Sequence, residues 1–216
     1  QLQDIEVTSE RVPLTFSVAP RLVTVMTKED VSAATVQSIN DLLEYAVGVD
    51  VRQRGEMGVQ SDISVRGGTF DQITILLNGI NISSPHTGHL SADFPVSMDE
   101  IERVEVLEGP AARQFGTSAF NGAINIVTKC DTSSHIAGHV FGGSYGYGGG
   151  EMSANLSTKK VHQQISGGFR RADGDQENSD FKQTKFFYQG NVSNSSVNVD
   201  WQTGVSNQDY GANTFY

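Results

Sequence analysis

The chain is short of several things that would have narrowed its function at once. It has one cysteine, Cys130, among 216 residues, so no intramolecular disulfide forms and no cysteine cluster offers a zinc site. Charged side chains make up only 19%, and the formal net charge of -10 argues against nucleic acid, whose phosphates need a cationic partner. No apolar run reaches the length of a transmembrane helix. That absence leaves membrane β-strands open, because their alternating pattern is mild in hydropathy. No signal-peptide pattern opens the chain, so any leader is expected to have been removed.

Proline is scarce in an uneven way. All five prolines (Pro13, Pro20, Pro85, Pro95 and Pro110) lie before Cys130, together with 9 basic and 17 acidic side chains. Residues 131–216 have none, yet hold 13 of the 23 glycines and 12 of the 18 aromatics. A proline-free stretch suits long paired strands, since proline removes a ladder donor. Asp131-Thr132-Ser133-Ser134 reads as the turn at the boundary.

The first part reads as a small α+β domain with a mixed sheet and short helices. Thr27-Lys28-Glu29-Asp30 and Ser97-Met98-Asp99-Glu100 have the form of capping boxes. Ile39, Leu42, Leu43 and Ala46 share one helical face, and Gly48 suits the position after its end. Strands are predicted at 21–26, 49–52, 62–66, 73–77, 104–107 and 121–128. Asn78-Gly79 between apolar runs predicts a type I′ hairpin.

The second part has period two. Val197, Val199, Trp201, Thr203 and Val205 fall on one face, and Asn198, Asp200, Gln202, Gly204 and Ser206 on the other. About five antiparallel strands are predicted, near 135–143, 149–158, 162–171, 183–193 and 196–206. Their lengths suit tilted membrane strands. A soluble β-sandwich fits the same alternation.

Four segments in fixed order carry a resemblance. They are Val65-Arg66-Gly67, then Ile73–Ile80 with its Asn-Gly, then Ile101-Glu102-Arg103-Val104-Glu105-Val106-Leu107-Glu108-Gly109-Pro110, and last Gly116 through Gly122-Ala123-Ile124-Asn125-Ile126-Val127-Thr128. This order resembles the plug of TonB-dependent outer-membrane receptors, and the alternating strands follow where such a plug runs into its barrel. The resemblance implies an extended N-terminal segment at 1–12, a plug at 13–130 and barrel strands at 131–216. It also implies that these strands are the start of a barrel of about 22 strands. The chain is then the N-terminal portion of a larger receptor in the outer membrane of a Gram-negative bacterium, its N-terminus periplasmic.

Further expectations follow from the resemblance. Asp4, Ile5, Glu6, Val7 and Thr8 are similar to a TonB box, which pairs as a strand with the TonB C-terminal domain; a plain unstructured terminus fits as well. Arg66 is expected to be a buried anchor from plug to barrel wall. Glu108 stands where several family members carry a base, which puts a second anchor in doubt. Arg54, Gly55, Glu56 and Met57 in one loop, with His86, Thr87 and His89 in another, are candidate substrate-contacting apical loops. Solvated loops are the plain alternative for both.

Asp173, Asp175, Glu177 and Asp180 form an acidic loop. It fails the EF-hand spacing, but cobalamin receptors of the family bind calcium in the corresponding loop, so calcium is a candidate ligand beside a solvated surface. No cofactor is required and no catalytic arrangement stands out, so no enzyme is expected. Overall spacing most resembles the cobalamin-receptor branch, with ferric siderophore and haem receptors as the alternative and a surface lipoprotein as a candidate partner. A non-transporting sensory or interaction module is the rival from another class. A signalling receptor would carry a folded domain before the TonB box, and none is read here.

Overall fold

A computed structural model of the chain describes residues 6–7, 14–15, 23–36, 38–53, 61–83, 94–109, 112, 115, 119–128, 130–194, 197–211 and 213. It divides into two compact units. One comprises Gln1–Arg54, Gln60–Ala92 and Ile101–Thr128; the other comprises Gly55–Val59, Asp93–Glu100 and Lys129–Tyr216.

The first unit is organised by its apolar strands. Strands β1 (Glu6–Val7) and β2 (Leu14–Thr15) pair antiparallel with each other. Next come β3 (Val23–Met26), helix α1 (Lys28–Ala33), helix α2 (Ile39–Leu43), and a two-stranded ribbon of β4 (Val49–Gln53) and β5 (Ser61–Val65). Strands β6 (Ile73–Leu77), β7 (Ile80–Asn81), β8 (Ile101–Glu108) and β9 (Gly122–Thr128) join β3 in one sheet. Its order is β3-β8-β9-β6-β7, with β6 parallel to β9 and every other pair antiparallel. All residues of β6 and β9 are buried. A continuous apolar run is what a strand covered on both faces requires.

Local chemistry sets the ends of these elements. Thr27 caps α1: its hydroxyl accepts from the Asp30 N–H, and the Asp30 carboxylate accepts from the Thr27 N–H at 2.8 Å. Those bonds, backbone first and hydroxyl second, hold the Asp30 carboxyl below its ordinary range. Replacing Thr27 with Ala should cost about 1 kcal/mol. A urea titration read by helix signal checks this, and an unchanged midpoint would show the cap contributes nothing. Ser38 and Asp41 form a second box on α2, which the sequence reading missed. Asn78 and Gly79 both have positive φ (52° and 78°) between Leu77 and its partner Ile80, as a two-residue I′ turn demands.

The second unit is an antiparallel meander of β10 (His135–Gly142), β11 (Gly148–Ser157), β12 (Val161–Ala172), β13 (Phe181–Ser193) and β14 (Asn198–Tyr210), paired in chain order. It has two open edges and forms no closed barrel. Register places Gly138, Met152, Gly167, Phe186 and Val205 in one row across the sheet, and His139, Glu151, Gly168, Lys185 and Ser206 in the next row, on the opposite face.

The two faces are inverted relative to a soluble protein. Ile136, Val140, Met152, Leu156 and Val205 are exposed, Val140 at 88%, whereas Asn155, Gln164, Ser166, Gln189 and Lys185 are buried, Lys185 at 5%. A soluble sandwich would bury the apolar row. Here that row faces outward, as on a strand sheet whose solvent is lipid. No helix among the described residues is long and apolar enough to cross a membrane, which says nothing of strands.

Candidate functional site

Charged groups gather in two places, one in each unit. In the first unit the chain turns after β5 at Arg66, whose φ is 51°, and its N–H donates to the Gly48 carbonyl at 2.8 Å. The Arg66 guanidinium pairs through Nη2 with Glu108 Oε2 at the end of β8. Gly48 leaves room for this: a Cβ there would lie 3.3 Å from Glu108 Oε1, and its φ of 81° favours glycine. The Arg66 side chain is 59% exposed, while the Glu108 carboxylate is buried. Arg66 thus finds a carboxylate on β8, a strand of the five-stranded sheet and not of the β4–β5 ribbon it follows, and keeps much of its side chain at the surface. The acid at 108 that put a second anchor in doubt serves here as the partner of the first.

In the second unit, segment Phe94–Glu100 lies on the polar face of the strand sheet. Ser97 opens a single 3₁₀ turn at Met98–Glu100, and its N–H donates to Glu100 Oε2 at 2.6 Å. The Lys185 ammonium donates to the Val96 carbonyl at 3.4 Å and lies 2.6 Å from Glu151 Oε1. Arg170 Nη2 reaches the same oxygen at 3.3 Å. His139 stands between two acids, Nδ1 being 3.7 Å from Asp99 and Nε2 3.9 Å from Glu151. Burial pushes the Glu100 carboxyl above its ordinary range, opposed by the nearby Ser166, Ser97 and Lys185.

Sequence reasoning missed this cluster, although a signal was present. Glu151, Arg170 and Lys185 are charges within strands of membrane length, and such charges face the interior or a partner. Small residues make space for them: a Cβ on Gly168 would lie 2.9 Å from Glu151 Cγ and 3.1 Å from Lys185 Cε.

Cys130 is chemically quiet. Burial first, then the Asp200 and Glu100 carboxylates, push its thiol up to about 11. Only the thiolate reacts, so alkylation at pH 8 should run roughly a hundredfold slower than at an ordinary cysteine, quickening as pH approaches that value. A maleimide or iodoacetamide time course against pH checks this; ordinary reactivity at pH 8 would be the contrary result.

With the geometry laid out, likeness to known proteins becomes informative. Residues 17–123 match the family model described as the TonB-dependent receptor plug domain. This is the plug domain of a TonB-dependent receptor. The chain is 32% identical over 157 residues to the vitamin B12 transporter BtuB of Vibrio vulnificus (strain CMCP6), covering 70% of this chain and 25% of that protein. The chain therefore spans about a quarter of the length of that curated relative.

Solved structures share the fold. The siderophore receptor PirA from Acinetobacter baumannii aligns with TM-score 0.66 and 23% identity over 87% of this chain and 32% of its own. The pyoverdine receptor FpvA from Pseudomonas aeruginosa PAO1 aligns with TM-score 0.72 and 18% identity, over 94% and 30%. The cobalamin branch is not singled out, since siderophore receptors match as broadly. The plug belongs to a receptor of the outer membrane, facing the periplasm, and the proteins it matches are named as receptors and transporters.

The remaining sites predicted from sequence can now be placed on the plug and its strands. Of the TonB-box segment, Glu6 and Val7 form β1, while Asp4, Ile5 and Thr8 lie outside the described residues. Both apical loops, with Arg54, Gly55, Glu56 and Met57 and with His86, Thr87 and His89, also lie outside them.

The acidic loop is described. Its four acids are exposed, and the Asp173 N–H donates to the Tyr145 carbonyl at 2.8 Å. Gly174 and Asn178 turn the backbone at positive φ. Among the described residues no group of three or more histidine, cysteine, aspartate or glutamate side chains converges to hold a metal, these four included.

Proposed function

We propose that the chain is the gating portion of a transporter that imports a scarce metal chelate across the outer membrane, driven by TonB. One observation carries this: a plug domain at 17–123 runs directly into strands whose apolar face is outward and polar face buried. Such strands close into a barrel of about 22 in the longer protein, since open edges are not tolerated in lipid. Ligand binding at the apical loops would favour a plug state that releases the N-terminal segment, and only differential affinity for the two states can drive that release.

Segment 4–8 would pair with the TonB C-terminal domain by strand addition, in which backbone hydrogen bonds supply the affinity. That Glu6–Val7 already adopts a paired strand supports this use. Val7→Pro removes a ladder donor and should abolish uptake by the full-length receptor while leaving ligand binding intact. Unchanged uptake would remove the assignment.

The solute we favour is a ferric siderophore or a related iron chelate, in keeping with the siderophore receptors that share the fold. Cobalamin is the second reading, supported by the identity to vitamin B12 transporters. Equilibrium binding of a siderophore panel, haem and cobalamin to the full-length protein, with and without calcium, separates them. Calcium-dependent cobalamin binding would favour the second reading and give Asp173, Asp175, Glu177 and Asp180 a role. Failure of every chelate to bind would overturn the transport reading. Arg66 would use its exposed guanidinium edge for a carboxylate of the barrel wall, and a surface lipoprotein remains a candidate partner.

A further inference from the structure

The outward face of the strand sheet is not evenly apolar: it carries an open hollow of about 550 Å³. Val140, Met152 and Phe169, all exposed, stand around it, while Gly138, Gly150 and Gly167 raise no side chain from its floor. Register places these six in two neighbouring rows of one face, Gly138 with Met152 and Gly167, then Val140 with Gly150 and Phe169. Glycine inside a strand weakens it, and often marks a place where a ligand or another backbone approaches closely.

Charge stands directly beside the hollow. The next row of the same face, about 7 Å further along the strands, runs Gly142, Gly148, Arg171, Lys182 and Asp209. Arg171 and Lys182 are both exposed and lie directly opposite each other. Like charges so placed destabilise an antiparallel pair. Asp209 stands across from Lys182 and answers one of the two charges, so the row keeps one positive charge in surplus. On the other side of Arg171 the row continues as glycine, which leaves the guanidinium open to approach. A guanidinium takes phosphate through two parallel hydrogen bonds, and an ammonium adds a point charge.

Position along the strands decides which side of a bilayer is meant. Arg171 and Lys182 adjoin the longest connection of the meander, between Ala172 and Phe181. The connections at the opposite end, Ser157 to Val161 and Ser193 to Asn198, are short. Membrane barrels put long loops outside the cell and short turns in the periplasm. The two bases therefore meet the head groups of the outer leaflet, and the hollow lies on the acyl-chain side of them.

Resting on the reading of this face as lipid-facing, we infer that it is a binding site for a phosphate-bearing, acylated lipid of the outer leaflet. Arg171 and Lys182 hold the phosphate, and an acyl chain lies in the hollow over Gly138, Gly150 and Gly167. One end of the site is electrostatic and the other apolar, so neither free phosphate nor an uncharged lipid satisfies both.

Thermal melts of the detergent-purified full-length receptor test this, with lipid A, with dephosphorylated lipid A and with inorganic phosphate alone. A ligand that binds only the folded state stabilises it, so lipid A should raise the Tm above that reached with either control. Arg171→Gln with Lys182→Gln should remove that difference and weaken lipid A binding in native mass spectrometry by roughly tenfold. Gly167→Leu fills the hollow without forcing the backbone, since a Cβ there would lie an ordinary 3.6 Å from its nearest neighbour, and should weaken binding too. Thr203→Leu, on the same face of β14, should leave binding unchanged. Equal stabilisation by either control, or wild-type affinity in the double variant or in Gly167→Leu, would overturn the proposal. A full-length protein that stays soluble without detergent would overturn the lipid-facing reading and this site with it. Failure to import any chelate would overturn the transport reading alone.

Discussion

Replacing Arg103 with methionine should destabilise the plug by about 3 kcal/mol, because it takes a close positive charge from a buried carboxylate. Glu105 in the middle of β8 is fully buried, and Arg103 Nε meets its Oε1 at 2.8 Å. On the other side Asn125 of β9 donates to Oε2 at 2.9 Å. The pair lies two residues apart on one strand, and therefore on one face, with a bulge at Ile101–Arg103 adjusting the register. Without the guanidinium, the carboxylate keeps its desolvation cost and loses the attraction of a charge 2.8 Å away.

A urea titration followed by exchange of β8 and β9 amides measures the loss. With a slope of roughly 1–3 kcal/mol per molar, the midpoint should fall by about 1 M or more. An unchanged midpoint would show that the ion pair contributes nothing net. The double change Arg103→Met with Glu105→Leu should recover most of the stability, since an apolar pair of similar volume often equals a buried ion pair.

Gly122→Ala should be nearly as damaging, although it adds one methyl group. A Cβ at Gly122 would lie 2.7 Å from the Leu107 carbonyl and 3.1 Å from Val65 Cγ1. Neither can retreat: Leu107 is paired with Ala123 beside it in the ladder, and Val65 is fully buried. Overpacking of this kind costs about 1–3 kcal/mol. The contrast is Gly167 on the outward face of β12, where the nearest atom would be an ordinary 3.6 Å away. Gly167→Ala should be close to neutral. Parallel thermal melts of the two variants check both, and equal losses would mean that glycine spacing does not govern the effect.

Much of the plug was legible because its signals are local. The Thr27 box, the Asn78-Gly79 turn and the strand at 73–77 each depend on neighbours within a few residues, and each stands where the sequence reading placed it; of the Ser97 box the Ser97 N–H bond to the Glu100 carboxylate is present. Strand ends moved by one to four residues, as with β14, which begins at Asn198 and runs on to Tyr210. Pairings between distant residues were less accessible. Parallel β6–β9 contact, the Arg66–Glu108 bridge and the Lys185–Val96 bond join positions far apart in the chain, and no period in the sequence encodes them.

Sequence by itself determined that residues beyond Cys130 are long, proline-free strands of alternating character, and that the residues before it form a plug. It left open which side of those strands is covered. Alternation is symmetric: a period of two assigns residues to two faces without saying which meets solvent. Only the tertiary structure decided that, by laying Phe94–Glu100 over the face of Glu151, Ser166 and Lys185 and leaving Ile136, Val140 and Leu156 outward. The physical reason is that burial depends on what packs against a strand and on what solvent surrounds it, and neither is a property of the strand alone.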